Sequence, residues 1–380
     1  MIFLTEDQES FHAGAVEFAE RHLAGDVEER DRAQEFDRSI WRECAEFGLM
    51  KMPIPVEYGG LGLGLSDLIA TMEGLGYGGR DLGLLFSIHA HMWTAIMPIL
   101  KYGTEEQKRT YLPKLGDGSW IAANTASEPD AGSDVFSLRT RADKTDAGYV
   151  LNGTKTFVTN AQVADLYVTY ATIDPALGSM GVTCFLVDRD TEGLSVSKKI
   201  EKMGLRTSPM GEVVFEDCAI DEDARLGREG RGAGVFDSSM EWERGCILAS
   251  CVGAMQRQLE ESIAYVRQRT QFGKPVGKFQ SVANRIVDMK IRLDTCRPLV
   301  YRIGALMDAG KPARMEAAIA KLHISECFAA SSLDAMRNLG GWGYMTEYEV
   351  ERDLRDALGG LFYSGTSDIQ RNIIARALGL

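Results

Sequence analysis

Several things are scarce in this sequence, and each scarcity narrows the field. Its seven cysteines (Cys44, Cys184, Cys218, Cys246, Cys251, Cys296, Cys327) are odd in number, scattered, and never form a C-x-x-C pair. That spacing argues against a disulfide or zinc framework and for reduced, mostly buried thiols. Positive charge is in deficit, with 42 Lys and Arg against 55 Asp and Glu for a net charge of −13. Such a balance offers no overall potential to recruit phosphates, so nucleic acid is not an expected partner. The start, "MIFLTEDQESF", lacks the basic and apolar regions of a signal peptide, and no stretch reads as an uncharged apolar span of about 18 residues. A cytoplasmic protein without a membrane partner is expected. A G-x-S-x-G elbow is also missing, which leaves Ser364, near the end of the chain, without the usual setting of a hydrolytic nucleophile.

What is present suffices for a large core: 380 residues, 45% of them hydrophobic, allow two or three domains. The first 118 or so residues read as helices, opening with a Thr5-x-x-Gln8 capping box and continuing through "DRSIWRECAEFGL" between Asp37 and Gly48. From Ser119 to about Gly227 the chain turns to short β-branched runs. There "YVLNGTKTFVTN" sets Asn152-Gly153 between extended stretches, a hairpin signal, and "ADLYVTYATI", "GVTCFLVD" and "GEVVFEDCAI" read as further strands. After the glycine-rich "LGREGRGAGVF" the helical period returns. Leu248, Val252, Met255, Leu259, Ile263 and Val266 line one face of a long buried helix. The expected fold is α+β: an N-terminal helical domain (1–118), a central, mostly antiparallel β-domain (119–227) and a C-terminal α-helical bundle (228–380).

"GLGYGG" at Gly74 to Gly79 matches G-x-G-x-x-G but follows a helical run, so a helix-ending glycine turn is expected rather than a dinucleotide loop. His89 and His91 have no carboxylate or thiol cluster nearby and read as core or pocket lining; no metal is expected. "NTASEPDAGSD" (Asn124 to Asp134) gathers hydroxyls, a proline and a glycine where the β-domain begins, suited to present N–H groups and short hydroxyls to a polar ligand edge. It is followed in order by "TKTFVTNAQVADLYV", "RTQFGKPVGKFQ", "LGGWGYMTEYEVERDLRD" and "YSGTSDIQRNIIARALG".

Together these five blocks resemble the acyl-CoA dehydrogenase superfamily over essentially the whole chain. The resemblance implies that the C-terminal bundle is a four-helix bundle and that FAD is bound between it and the β-domain, across the interface of a homotetramer or dimer. By motif, it implies that Ser127 meets the flavin pyrimidine edge, Ser133 lies near the pyrophosphate, Phe157 covers the flavin and Thr159 bonds near its N5. Arg269, Phe272 and Gln280 correspond to contacts with a neighbouring subunit's FAD, and Arg337 and Gly341 to the hold on its diphosphate. Thr366 and Asp368 correspond to contacts with the adenosine half.

The pattern breaks at one place. Much of the family carries its catalytic glutamate where this chain has Ser364, and a lone serine hydroxyl is too weak a base. In isovaleryl-type and some long-chain branches the base is instead the glutamate of a Glu-Arg pair on the first bundle helix. Here "SSMEWERGCILASCVGAMQ" supplies Glu243-Arg244. On a helical wheel Arg244 falls in the stripe of Leu248, Cys251 and Met255, Glu243 lies on its flank, and Glu241 projects elsewhere. Glu243 is therefore the expected base, with Arg244 in support, and the Ser364 backbone N–H keeps its place as a donor to the thioester carbonyl. The ending is similar to family members acting on carrier-protein thioesters, prolyl groups included, which makes an acyl or aminoacyl carrier protein the first expected partner and a short or branched acyl-CoA the second. An electron acceptor is implied as well. Lys198, Lys199, Lys202 and Arg206 form a basic cluster suited to docking a carrier. Alternatives on the same fold are a flavin monooxygenase or oxidase and a flavoprotein without turnover.

Overall fold

The computed structural model describes residues 4–380. Seven α-helices come first: α1 (Glu6–His22), α2 (Val27–Ala33), α3 (Arg38–Glu46), α4 (Leu65–Gly78), α5 (Leu82–His91), α6 (Met97–Tyr102) and α7 (Glu105–Gly116). α1 starts at the capping box between Thr5 and Gln8, and Asp37 caps α3 through Ser39 and Ile40 N–H groups. A π-helical turn, Met92–Ile96, joins α5 to α6, so Leu82–Tyr102 is one helical run of 21 residues. This run corrects the reading that no long apolar span exists: it passes for a membrane span by length and composition, yet 94% of its apolar window is buried inside the protein. It is a core helix.

α4 ends within the Gly74–Gly79 stretch as expected, its last residue being Gly78 and its cap Gly79, but Gly74 and Gly76 lie inside the helix. A Cβ at Gly76 would come within 1.9 Å of the Ser250 carbonyl oxygen, and one at Gly74 within 2.5 Å of that of His12. The glycines thus let α1 and a bundle helix approach α4 backbone to backbone.

The strands are β1 (Ala122–Thr125), β2 (Arg141–Lys144), β3 (Gly148–Thr159), β4 (Leu166–Thr172), β5 (Val182–Asp188), β6 (Leu194–Val196), β7 (Met210–Asp221) and β8 (Arg225–Leu226). They form one sheet in the order β6-β7-β3-β2-β4-β5-β8, with β1 added alongside β4. Pairing is antiparallel except where β4 runs parallel to β1 and β2. Both faces of β4 and β5 are covered: Leu166, Val168 and Tyr170 join the main core while Tyr167 and Ala171 join a second one with Phe185 and Phe215. Burial on both sides explains their near-continuous apolar runs, broken only by buried threonines and the closing Asp188.

The expected hairpin at Asn152-Gly153 is not formed. β3 runs straight through these residues, and the register against β7 shifts there, with Gly153 set against Thr140. The turn lies earlier, between β2 and β3, where the Gly148 carbonyl accepts the Thr145 N–H. Asn152-Gly153 therefore makes a bulge in a strand already paired on both edges.

The last third contains α8 (Gly232–Cys246), α9 (Ala249–Gln268), a small ribbon of β9 (Thr270–Gln271) and β10 (Lys274–Pro275), then α10 (Gln280–Asp308), α11 (Arg314–Leu339), α12 (Val350–Gly359) and α13 (Ser367–Ala377). α8 through α11 form the bundle; α12 and α13 pack on α11, and α4 packs on α9. The single wheel drawn from Glu243 to Met255 is broken, because α8 ends at Cys246 and α9 starts at Ala249. Glu243 and Arg244 are buried nonetheless. α12 is pinned by charge: Asp353 accepts from the buried Arg257 at 3.1 Å, and Arg355 reaches Asp31 at 2.7 Å. These pairs fix the helix that delivers the Ser364 corner.

Candidate active site

After α12 the chain turns sharply. Ser364 and Gly365 both adopt positive φ, 55° and 90°. A Cβ at Gly365 would meet Gln370 Nε2 at 2.8 Å, so glycine is required there, whereas serine at 364 holds a conformation uncommon for a residue with a Cβ. Thr366 then caps α13 by accepting the Ile369 N–H. The corner is locked from inside. Gln370 Nε2 donates to the carbonyls of Ser364 and Gly365 at 3.1 and 2.9 Å, and Arg244 Nε donates to the Ser364 carbonyl at 2.9 Å.

The Ser364 hydroxyl donates to Glu243 Oε1 at 2.8 Å, closing a gap of 121 residues. The vacated position and the expected base are thus direct partners. Burial pushes the Glu243 carboxyl above the ordinary carboxylate range, opposed by the Ser364 hydrogen bond and the charges of Arg244 and Lys321. A carboxylate so placed is dry, oriented and more basic than one in water. Among the described residues the Ser364 N–H finds no acceptor in the chain, so it is free to donate to a ligand. Glu241, set aside in the sequence, accepts the Ala313 N–H at 2.6 Å just before α11 begins. It is occupied with structure.

Lys321 was not singled out, though it belongs to this site. It is fully buried, donates to the Gly360 carbonyl at 2.7 Å and lies over the Tyr363 ring. Burial, aided by the Arg244 charge and opposed by Glu243, lowers its ammonium to about 8. The signal was available: Lys321 sits in the stripe of Ala317, Ala320 and Ile324, where a charge demands a reason. Behind Tyr363 a void bounded by Phe86, His89 and Asp356 measures about 10 Å³, room for one water-sized particle and no acyl group. His89 and His91 are core residues: Trp93 Nε1 donates to His89 Nδ1, and the Ala122 N–H donates to His91 Nδ1.

The positions expected to face a flavin lie on a different rim. The Thr156 N–H donates to the Ser127 carbonyl at 2.9 Å, which sets Ser127 beside Phe157. β3 slips register between Lys155 and Val158, and Phe157, at φ 55°, is thrown outward to 64% exposure. Beneath it Lys155 and Glu128 form a buried ion pair at 2.8 Å, and Glu128 also accepts the Arg139 and Thr140 N–H groups, which ties down the loop bearing Ser127 and the exposed Ser133. Among the described residues the hydroxyls of Ser127 and Thr159 have no partner in the chain. An aromatic plate with unpartnered hydroxyls close by fits a flat ring system with a polar edge.

Phe272, also at positive φ (50°), stands on the β9–β10 ribbon at 93% exposure, with Arg269 and Gln280 exposed near it in sequence. Arg337 reaches Asp334 at 3.3 Å, Gly341 lies exposed in the turn after α11, and Asp368 pairs with Arg371 at the surface. None of these touches Glu243 in one chain. The basic cluster is largely consumed: Lys202 turns inward to the Ser208 carbonyl, Arg206 faces Asp31 and Lys199 bonds the Gln34 carbonyl. Lys198 and Lys199 remain exposed, Lys198 without a side-chain partner among the described residues.

Family models for the N-terminal, middle and C-terminal domains of acyl-CoA dehydrogenase match residues 5–119, 123–218 and 230–379. The chain is 45% identical, over 100% of both chains, to the L-prolyl-[peptidyl-carrier protein] dehydrogenase of Pseudomonas fluorescens. Among solved structures, the prolyl acyl carrier protein oxidase AnaB superposes with a TM-score of 0.98 at 47% identity, covering 99% of this chain and 100% of that one. PigA with FAD and proline gives 0.97 at 41% identity, over 99% and 98% of the two chains.

Proposed function

We propose, from the premise that this chain belongs to the acyl-CoA dehydrogenase family, that it is an FAD-dependent dehydrogenase of a prolyl group carried as a thioester on a carrier protein. It is an oxidoreductase acting on a thioester, and the single observation that carries the proposed chemistry is the buried Glu243 carboxylate held by the Ser364 hydroxyl. Bound FAD supplies the acceptor for the hydride that leaves the β-carbon.

The chain's own residues do the rest. Glu243 removes the α-proton, and its desolvation keeps the carboxylate basic. The Ser364 N–H donates to the thioester oxygen, where negative charge grows as that proton leaves. Arg244 and Gln370 hold the Ser364 carbonyl, which fixes the direction of that N–H. A double bond forms between the α- and β-carbons. Ser127, Thr159 and Phe157 would hold the isoalloxazine ring, with Ser133, Thr366 and Asp368 further along the dinucleotide. Arg269, Phe272, Gln280, Arg337 and Gly341 would reach the FAD of a second copy in a cytoplasmic homo-oligomer. The exposure of Phe272, out on a ribbon where its ring meets only the edge of Phe279 among the described aromatic rings, supports that reading.

The test is anaerobic flavin bleaching by prolyl-carrier protein, other aminoacyl- and acyl-carrier proteins, and short and branched acyl-CoAs. The expected result is bleaching by the prolyl-carrier protein at a rate well above all others; preferential bleaching by a CoA ester would move the assignment to an acyl-CoA dehydrogenase.

A further inference from the structure

α11 carries a second group of reactive side chains that the proposed reaction does not use. His323 and Cys327 stand one helical turn apart on it, and Cys296 approaches from α10. One ligand atom from each lies within 4.8 Å of the other two. His323 Nε2 is 3.6 Å from Cys327 Sγ and 3.2 Å from Thr295 Oγ1. A tetrahedral ion bound at about 2.3 Å to sulfur and about 2.0 to 2.1 Å to imidazole nitrogen would set those two atoms about 3.5 Å apart. The side chains already hold that spacing.

We propose that Cys296, His323 and Cys327 bind one zinc-class, thiolate-seeking cation, with the fourth position next to Thr295. Two thiolates and an imidazole are the donor set such ions select over carboxylate-seeking ones. Binding converts both thiols to thiolates and releases their protons. Access is available through His323, which is exposed and lines a groove of about 550 Å³ between α10, α11 and α13. The neighbouring Glu326 accepts from Ser367 at the start of α13 at 2.8 Å. An ion here would therefore clamp α10 to α11 beside the helix that follows the Ser364 corner.

The holoenzyme, reduced, stripped with chelator, incubated with Zn(II) or Co(II) and desalted, tests this. The expected result is about one metal per chain, thiolate-to-cobalt charge transfer in the difference spectrum, and a higher thermal midpoint with Zn(II). His323→Ala and Cys327→Ser should each retain at least tenfold less metal, whereas Cys218→Ala should retain the wild-type amount. Because His323 is exposed on a helix, its alanine variant keeps the test alive if the cysteine variant fails to fold. Wild-type retention by His323→Ala, no retention by the wild type, or recovery of a Cys296–Cys327 disulfide from protein purified without reductant would each overturn the proposal.

Discussion

Glu243 and Arg244 are 8% exposed each and bonded to the Ser364 corner, whereas Phe157 and Phe272 stand 64% and 93% exposed. The contrast separates two kinds of work. A base must be desolvated and aimed before its substrate arrives, so the chain completes that neighbourhood by itself. Groups that greet a cofactor or another copy of the chain are left open, and their burial energy is realised only on binding. Three of the residues concerned, Phe157, Phe272 and Ser364, hold positive φ, so the backbone spends strain in both neighbourhoods to aim them.

The contrast breaks most severely if the support under the open rim is removed. Glu128→Ala would leave Lys155 buried and unpaired, and chemical denaturation should show about 3–5 kcal/mol lost. FAD content should fall with it, because the loop bearing Ser127 loses its anchor.

Next in size is the closed corner. Ser364→Ala removes a hydrogen bond to a charged acceptor, and kcat/KM at neutral pH should drop about tenfold. The sign of its pH effect follows from the donor's role. Ser364 stabilises the ionised carboxylate, and the reaction needs that form, so activity rises with pH through the Glu243 titration. Without the hydroxyl, the acid limb of the kcat/KM profile should move to higher pH. A variant that keeps the wild-type limb would show that the contact does not tune the base.

The smallest stability effect should come from Phe272→Ala. A residue so exposed contributes within about 0.5 kcal/mol to the folding of a single chain. FAD retention on dilution should nevertheless decline, measured as flavin absorbance per chain after gel filtration. If neither quantity changes, the open rim does not depend on Phe272.

Much of this was legible in the sequence where local rules decide. The apolar runs of β4, β5 and β7 announced strands, and Asp37 and Thr5 announced helix starts. Glu243 is buried as the wheel expected, but the wheel's stripe lies beyond the break between Cys246 and Ala249, so it is packing of α8 in the bundle that buries it. What stayed hidden depends on distant chain. Asn152-Gly153 is a strong turn pair locally, but β2 and β7 flank β3 there and leave it only a bulge. The Ser364–Glu243 bond needs a left-handed corner delivered by α12, and no periodicity encodes that. The inward turn of Lys202 and the meeting of Cys296 with Cys327 are likewise products of packing between elements. Lys321 is different: the same wheel that exposed Glu243 would have exposed it.

The central claim is that Glu243 takes the α-proton. Anaerobic mixing of the Glu243→Gln holoenzyme with prolyl-carrier protein tests it most directly. With FAD content normal, bleaching should slow by about 10² to 10⁴ relative to the wild type; bleaching at the wild-type rate would contradict the account.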